Sequence, residues 1–378
     1  MKIKAINSYH VKFALREPFG FSQFYYTKRE NLLVEVVGED GTSGWGECYG
    51  PSEPARHAVH SLLEPMILGR DCLDTEIIWH ELWKRFMDYA RYGTIVAALS
   101  GVDIALWDLK ARILGQPLYK LLGGSRQSEI PCYATGHYFR EVGEDEAVDI
   151  ILREASRNLD QGFDALKLKI GKNLAFDLKV LRKVREKFSD TKLMADSNHA
   201  YNMWQAVRVG RVLDELGYLF FEEPVAPHAF EQFALLRTKL DTPLATGECE
   251  QTRFGFRRLL ESNGVDIIQP DLAHCGGISE GLKIRAMANA MGVDVTPHAW
   301  GTWVGFAAAL HFHATCPPNP GKFETEPLYL EFDNSENPAK EKLFKVGIEM
   351  KEGRAVLPTR PGLGIEVDRK TLSKAINH

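Results

Sequence analysis

Residues 165–198 read ALKLKIGKNLAFDLKVLRKVREKFSDTKLMADSN. Two short apolar runs, ALKLKIG and KLMADSN, flank a longer stretch whose apolar residues recur at helical spacing. The same alternation continues on both sides between residues 126 and 334. The other apolar runs are IPCYATG (130–136), YLFFEEP (218–224), PLATGEC (243–249), VDIIQPD (265–271), VDVTPHA (293–299) and LYLEFD (328–333). Eight strands alternating with helices predict an α/β fold of the (β/α)8 barrel type.

The residues outside this repeat predict two further parts. Residues 31–47, NLLVEVVGEDGTSGWGE, hold two β-rich runs around a turn, and residues 54–122 are mostly helical in pattern. We therefore predict an N-terminal α+β domain over 1–125 and a barrel over 126–334. Residues 335–378 are too many for a ninth barrel unit, so we expect them to return to the N-terminal domain.

Composition excludes several classes of function. The net charge of −5 and the pI of about 6.2 argue against binding to nucleic acid or to an anionic membrane. The N-terminus lacks the apolar run of a signal peptide, and we find no apolar window of membrane-spanning length. The six cysteines form no CxxC pair. We interpret them as reduced thiols of a cytoplasmic protein.

Ionisable residues recur near the ends of six of the apolar runs. They are Lys169, Asp196, Glu222, Glu248, Asp271 and His298, at steps of 27, 26, 26, 23 and 27 residues. One strand, one helix and two loops take about this length in a barrel of roughly 250 residues. Active sites of such barrels lie at the C-terminal ends of the strands, so the six side chains are predicted to surround one mouth.

Three of these residues are acids on consecutive runs. Converging carboxylates repel each other unless a cation holds them, and a set of hard oxygen ligands favours Mg²⁺, with Mn²⁺ as a substitute. The alternative is that each acid is a helix cap or a surface partner. At the third run Glu222 and Glu223 compete, because neighbours on a strand point to opposite faces.

Lysine and histidine provide candidate bases. Lys167 and Lys169 share one face of their strand, where like charge and nearby Mg²⁺ are predicted to lower the pKa of a lysine. A neutral lysine is suited to act as a general base. Asp271 and His298 end neighbouring runs, and a carboxylate beside an imidazole orients it and raises its proton affinity.

Several motifs resemble those of the mandelate racemase subgroup of the enolase superfamily. They are KLKIG, Asp196-Ser197-Asn198, FFEEP, TGE, QPD and PHAW, together with ALSGVDIALWDLK, PLYKLLGG and PGLGIE, and they cover nearly the whole chain. The resemblance implies an enolase-like modified barrel under an N-terminal capping domain that the C-terminal segment completes. It also implies three Mg²⁺ ligands, Asp196, Glu222 and Glu248. Muconate-lactonising and dipeptide-epimerising relatives carry a second lysine on the sixth strand, which VDIIQPD lacks.

The resemblance also implies roles for the other side chains at the mouth. Lys169 matches one base with Lys167 as its modulator, and His298 matches a second base oriented by Asp271. Glu331 lies where the family's electrophilic acid often lies. GKFETEPLYLEFD (321–333) also offers Glu324 and Glu326 for this role.

Substrate choice is predicted to depend on loops and strand ends. The segment REPFGFSQFYYTKRE (16–30) is polar and aromatic, as expected for a polyhydroxy acid, although loops commonly have this composition. We predict five substrate-binding residues: Tyr25, Lys28, His137, Asn198 and Trp300.

We hypothesise a Mg²⁺-dependent isomerase or lyase that removes the proton α to a carboxylate and forms an enediolate. A sugar acid or its lactone is the expected small-molecule partner, with cycloisomerisation of a lactone favoured and dehydration as the alternative. Racemisation or epimerisation of an amino acid derivative and a non-catalytic metal-binding scaffold are further alternatives. We expect the chain to form a homo-oligomer.

Overall fold

The computed structural model describes residues 1–319, 321 and 328–376. The chain begins with a three-stranded antiparallel sheet of β1 (Ile3–Gly20), β2 (Tyr25–Gly38) and β3 (Ser43–Cys48). Helical segments follow: α1 (Ser52–Ala58), a π-helical turn (Val59–Leu63), α2 (Glu64–Ile67), α3 (Thr75–Phe86), α4 (Thr94–Ile113) and α5 (Leu118–Leu121). Helix α4 lies against β3 so closely that a Cβ atom on Gly46 would lie 1.9 Å from the carbonyl oxygen of Gly101. Glycine at this position therefore permits the packing.

The barrel follows. Its strands and helices are β4 (Glu129–Thr135), α6 (Glu144–Asp160), β5 (Ala165–Lys169), α7 (Leu174–Lys187), β6 (Lys192–Asp196), α8 (Met203–Leu216), β7 (Phe221–Glu222), α9 (Phe230–Arg237), β8 (Leu244–Thr246), α10 (Thr252–Glu261), β9 (Ile267–Ile268), α11 (Gly277–Ala290), β10 (Asp294–Val295), α12 (Trp303–Ala314) and β11 (Leu330–Asp333). Each predicted apolar run contains one of these strands. They pair in parallel in the order β11-β4-β5-β6-β7-β8-β9-β10. The predicted (β/α)8-type fold is confirmed.

Strand register explains the regular spacing of the ionisable residues. Lys169 on β5 pairs with Asp196 on β6, and Asp196 pairs with Glu222 on β7. A step of 26 or 27 residues thus returns the chain to the same level of the neighbouring strand. The hydroxyl of Thr296, just after β10, donates to the Tyr329 carbonyl before β11 at 2.7 Å, which joins the two ends of the strand series.

The C-terminal segment contains α13 (Pro338–Lys342), β12 (Phe344–Val346), β13 (Met350–Lys351), β14 (Arg354–Val356), β15 (Glu366–Val367) and α14 (Arg369–Ala375). Helices α13 and α14 contact β1, as expected for a return to the N-terminal sheet. Strand β14 also pairs with the start of β4, so the segment contacts the barrel as well. The domain limits at residues 125 and 334 stay predictions. Among the described helices, none combines the length and apolar character needed to cross a membrane.

His311 on α12 makes two buried hydrogen bonds that require a neutral ring. Its Nε2–H donates to the Leu363 carbonyl at 3.2 Å, and its Nδ1 accepts from the Tyr119 backbone N–H at 3.1 Å. Protonation at Nδ1 would remove the second bond. Burial accordingly lowers the pKa of His311 from 6.5 to about 4.

We expect this histidine to reduce stability in acid. Above pH 6.5 it is neutral in both folded and unfolded chains. As the pH falls from about 6.5 to 4, only the unfolded chain takes up the proton, so the free energy of unfolding falls by on the order of 3 kcal/mol. Urea unfolding at several pH values measures this slope. His311→Gln should make it shallower, whereas a matched change at exposed His57 should leave it unchanged.

Candidate active site

Three buried carboxylates meet at the C-terminal ends of consecutive barrel strands. Oxygen atoms of Asp196, Glu222 and Glu248 all lie within 4.8 Å of one another. Burial raises the pKa of Glu222 well above its usual range, and the Asp196 charge adds to this shift. Burial together with the charge of Glu223 raises the pKa of Glu248 to about 7. The three acids therefore repel each other, as the sequence predicted.

The chemistry of this trio fits a hard divalent cation. All three side chains offer oxygen atoms, the donors that Mg²⁺ prefers. Within the described part of the chain, the buried Oε2 of Glu248 has no hydrogen-bond partner. Gln269 donates to Glu222 Oε2 at 2.7 Å and so orients one of the three carboxylates. The residues present can thus hold the predicted ion.

Both predicted lysines point at these acids. The Nζ of Lys167 lies 2.8 Å from Glu222 Oε1 and 2.7 Å from Glu331 Oε1. Lys169 contacts Asp196 Oδ2 and donates to Asn198 Oδ1 at 2.9 Å. Their strand therefore presents both ammonium groups to one side, as predicted.

The lowered lysine pKa that we predicted includes the effect of a bound Mg²⁺ and stays a prediction; the protein groups by themselves act in the opposite direction. Burial acts to lower the pKa of Lys169, but the charges of Asp196, Tyr138 and Glu248 together raise it by more, and the net pKa lies above the ordinary value. The like charge of Lys167 does lower this pKa, yet it is the weaker influence. Lys167 is shifted upward as well, since Glu222 and Glu331 outweigh its burial. Attraction to the carboxylates therefore exceeds repulsion between the two lysines.

The predicted His–Asp pair lies at the Glu248 end of the carboxylate trio. His298 Nδ1 lies 2.6 Å from Asp271 Oδ2, while its Nε2 lies 3.6 Å from Glu248 Oε2. Burial lowers the pKa of His298, but the charges of Glu248, Glu331 and Asp271 raise it to about 10. Asp271 thus holds the ring with Nε2 directed at the carboxylate trio.

Glu331 on β11 lies between Lys167 and His298. Its Oε1 contacts Lys167, and its Oε2 lies 3.8 Å from His298 Nε2 and accepts from the Ala299 backbone N–H at 3.0 Å. Burial would raise its pKa, but Lys167 and His298 lower it to about 2. In this arrangement Glu331 is ionised and holds the two cationic groups. The alternatives Glu324 and Glu326 lie outside the described residues.

Two predicted substrate-binding residues at strand ends, Asn198 and His137, differ in whether their polar atoms can reach a substrate. Asn198 accepts from Lys169 and donates to Glu223 Oε2 at 3.4 Å, so it lies directly at the cluster of charged groups. His137 is buried, with Nδ1 bonded to the Lys167 carbonyl at 2.9 Å and Nε2 accepting from Asn158 at 3.2 Å. Both ring nitrogens of His137 are used within the protein. This contradicts its predicted substrate contact and indicates that it supports β5.

Comparison with known proteins places this geometry in a family. Residues 4–123 match the mandelate racemase / muconate lactonizing enzyme N-terminal domain, and residues 141–371 match the enolase C-terminal domain-like family. The chain belongs to the mandelate racemase / muconate lactonizing enzyme family. It is therefore an enzyme of the enolase superfamily, as its motifs predicted.

Named relatives of this family member act on sugar acids or their cyclic forms. D-Galactarolactone cycloisomerase of Agrobacterium fabrum is 38% identical over 375 residues, covering 99% of this chain and 98% of the relative. The motifs YATG, FEEPVAP and HAWGT of this chain also resemble those of galactarolactone cycloisomerase.

Solved structures agree with the sequence matches. The crystal structure of 3,6-anhydro-D-galactonate cycloisomerase from Zobellia galactanivorans is 34% identical with a TM-score of 0.90, covering 100% of both chains. L-Talarate/galactarate dehydratase of Salmonella typhimurium, liganded with Mg and L-lyxarohydroxamate, is 29% identical with a TM-score of 0.85, covering 98% of this chain and 92% of the other.

Aromatic residues of the N-terminal strands cover the mouth of this family member. Tyr26 lies 5.1 Å from Trp300 between ring centroids, and the Arg29 guanidinium lies 4.2 Å from the Trp300 ring. Tyr49, which the sequence did not single out, lies 5.5 Å from the ring of His298. Within the described residues, the buried indole N–H of Trp300 has no hydrogen-bond partner. These residues form a wall over the charged groups.

The predicted loop contacts Tyr25 and Lys28 are not part of this wall. Lys28 is about half exposed and forms an ion pair with Glu30 at 2.9 Å. Tyr25 packs over Gly20, where an added Cβ atom would lie 2.7 Å from the tyrosine ring. The pairing of β1 with β2 shifts register between Ala14 and Phe19, so β1 carries extra residues opposite this part of β2. Tyr26 and Arg29 of the same predicted loop segment contact Trp300 instead.

Glu47 is a further residue that sequence reasoning missed. This buried acid at the end of β3 accepts hydrogen bonds from the backbone N–H groups of Thr302 at 3.0 Å and Gly305 at 2.9 Å, and from Asn31 Nδ2 at 2.9 Å. It therefore caps the N-terminus of α12 from the N-terminal sheet. Glu47 thereby fixes the loop that carries His298 and Trp300.

Tyr26 and Lys28 make a matched test of the wall. We expect Tyr26→Ala to raise KM roughly tenfold, because a large aromatic contact of about 1.4 kcal/mol is lost at the mouth. Lys28→Ala, two residues away on the same strand, should leave both kcat and KM nearly unchanged. Steady-state kinetics on the substrate of the enzyme measure both. A KM that rises with Lys28→Ala and not with Tyr26→Ala would contradict the geometry.

Proposed function

We propose that this enzyme removes the proton α to the carboxylate of a sugar acid or sugar-acid lactone, with cycloisomerisation of a lactone as its main reaction. The arrangement of Lys169 and His298 carries this proposal. Lys169 on β5 contacts Asp196, and His298 after β10 lies 3.6 Å from Glu248, so the two groups lie beside different members of the buried carboxylate trio. The names of the relatives support the class of substrate.

We propose that Asp196, Glu222 and Glu248 hold Mg²⁺. Their oxygen-only donor set supports this, and a similar structure is liganded with Mg. When bound there, Mg²⁺ supplies positive charge that offsets the three carboxylates and the negative charge that develops on the substrate carboxylate.

The protein groups have distinct roles in this proposal. Lys169, in its neutral form, accepts or returns a proton on one face of the α-carbon, and His298 does so on the other. Asp271 directs the Nε2 of His298 toward the substrate by its 2.6 Å contact with Nδ1. Lys167 and Glu331 hold each other at 2.7 Å and so position the groups around the enediolate.

The leaving group distinguishes the main reaction from dehydration. In a lactone the departing group is a carboxylate, which needs little help from an acid. An acyclic sugar acid loses hydroxide, which has to take up a proton. His298, whose Nε2 faces the trio, is the group we propose for that proton. The dehydratase name of a similar structure supports dehydration as the second candidate.

A substrate screen tests the proposal. Aldarates, aldonates and their lactones are incubated with enzyme and Mg²⁺ in deuterated solvent, and products are followed by NMR and by a keto-acid assay. Ring opening of a lactone with keto-acid formation supports cycloisomerisation, whereas keto acid from open-chain acids alone supports dehydration. Formation of an epimer of the added compound without any keto acid would indicate a racemase or epimerase. The proposal is refuted if no compound gives a product and none becomes deuterated at its α-carbon. Substitution of Mn²⁺ for Mg²⁺, the cytoplasmic location and the homo-oligomer stay predictions.

A further inference from the structure

A second cluster of metal-binding side chains adjoins the carboxylate trio. His199, Glu223 and Cys249 offer donor atoms that all lie within 4.8 Å of one another. Each residue follows a member of the trio by one to three positions in the chain. The barrel strands that bring the trio together therefore also bring this second set together.

Glu223 contributes a buried carboxylate to the cluster. Its side chain is fully buried, and its Oε1 has no hydrogen-bond partner among the described residues. Its Oε2 lies 3.1 Å from His199 Nδ1 and accepts from Asn198 Nδ2 at 3.4 Å. Buried carboxylate oxygens normally have partners, because an unpaired one loses its hydration without compensation. A positive charge placed between the donors would satisfy it.

The donor types differ from those of the trio. An imidazole nitrogen, a thiolate sulfur and a carboxylate oxygen suit Zn²⁺ and not Mg²⁺, which prefers oxygen. Two donors bound to a tetrahedral Zn²⁺ at about 2.0–2.1 Å lie about 3.3 Å apart. His199 Nδ1 and Glu223 Oε2 are hydrogen-bonded at 3.1 Å, so an ion that replaces the proton between them requires little movement of either side chain. Cys249 is exposed, so an ion has access from solvent.

We propose that His199, Glu223 and Cys249 form a Zn²⁺ site beside the carboxylate trio, with water as the fourth ligand. Binding would release the thiol proton of Cys249 to solvent, since the thiolate is the ligand. The site uses no member of the trio. It therefore does not depend on the identity of the substrate or on the proposed reaction.

Protection of the thiol tests the site. Cys249 is the exposed cysteine of the six, all of which lie within the described residues. Enzyme saturated with Mg²⁺ is treated with iodoacetamide, and alkylation of Cys249 is followed by peptide mass spectrometry. Micromolar Zn²⁺ should slow this alkylation at least tenfold, because a metal-bound thiolate is no longer free to react. His199→Asn should remove most of the protection, and the control His57→Asn should retain it.

Two outcomes of this test would overturn the proposal. One is an alkylation rate that Zn²⁺ does not change. The other is equal protection in wild type and His199→Asn, which would place the ion at the trio. Circular dichroism checks that each variant folds, and His199→Gln replaces the first variant if it does not.

Cobalt gives an independent spectroscopic readout. Co²⁺ added to the Mg²⁺-saturated protein should produce a near-ultraviolet thiolate-to-cobalt charge-transfer band. Cys249→Ser should abolish the band, and Cys316→Ser, a change of the half-buried cysteine elsewhere, should preserve it. Absence of the band, or its survival in Cys249→Ser, would overturn the proposal. Neither measurement involves turnover, so failure here is distinguishable from failure of the proposed reaction.

Discussion

Replacing Lys169 by alanine is expected to lower kcat by about 10³–10⁴-fold, the upper range for loss of a general base. Its ammonium group lies against Asp196 and Asn198 at the edge of the carboxylate trio, where a substrate carboxylate would bind. His298→Asn should cause a loss of similar size on an epimerising substrate, since both faces of the α-carbon then need a base. Steady-state kinetics with saturating Mg²⁺ measure these effects.

On an eliminating substrate, isotope exchange separates the two bases. One of the two variants should still exchange the α-proton with deuterated solvent while it fails to form keto acid, and the stereochemistry of the α-carbon decides which. Lys172→Ala is the matched control, because this lysine follows the same strand but its ammonium group lies over the Phe176 ring. Near wild-type turnover in both Lys169→Ala and His298→Asn would show that the two-base site is wrong.

Removal of the divalent cation should abolish activity, and added Mg²⁺ should restore it. Glu248→Gln should weaken Mg²⁺ binding and lower kcat together by at least about 10²-fold, because a neutral amide replaces one of three charged ligands. Calorimetric titration with Mg²⁺ and turnover assays are the paired measurements.

Glu250 supplies the control for this change. It lies two residues further along the chain, and its Oε1 accepts from the Gln251 backbone N–H at 2.8 Å. Glu250→Gln should keep both Mg²⁺ affinity and turnover near the wild-type values. Full activity of the wild-type protein after a chelator has removed its divalent cations would refute the assignment of Asp196, Glu222 and Glu248 as Mg²⁺ ligands, whatever the variants show.

Residue spacing alone predicted the positions of the charged groups because barrel geometry is repetitive. Lys169, Asp196 and Glu222 recur at the length of one strand–helix unit, and the register of β5, β6 and β7 places them side by side. Residues that recur at the length of one strand–helix unit come to lie at the same level of neighbouring strands. The proximity of these residues therefore required no knowledge of the loops.

The charges that surround the lysines did not follow from the same pattern. Two lysines on one face beside a bound Mg²⁺ suggested a lowered pKa, whereas the carboxylates around them act to raise it. The direction of the pKa shift depends on how many carboxylates lie nearby. Lys167, for example, contacts both Glu222 and Glu331. Glu331 comes from the last strand, about 160 residues away in the chain. Only the closed barrel sets this balance of charges.

The sequence by itself determined the strand order, the end of the barrel that carries the chemistry and the set of charged residues there, because strand–helix periodicity is a local property. The tertiary structure alone decided which side chains face the mouth. Tyr26 and Arg29 contact Trp300, and both ring nitrogens of His137 are bonded within the protein, to β5 and to Asn158. These outcomes depend on contacts between distant segments, which no local pattern encodes.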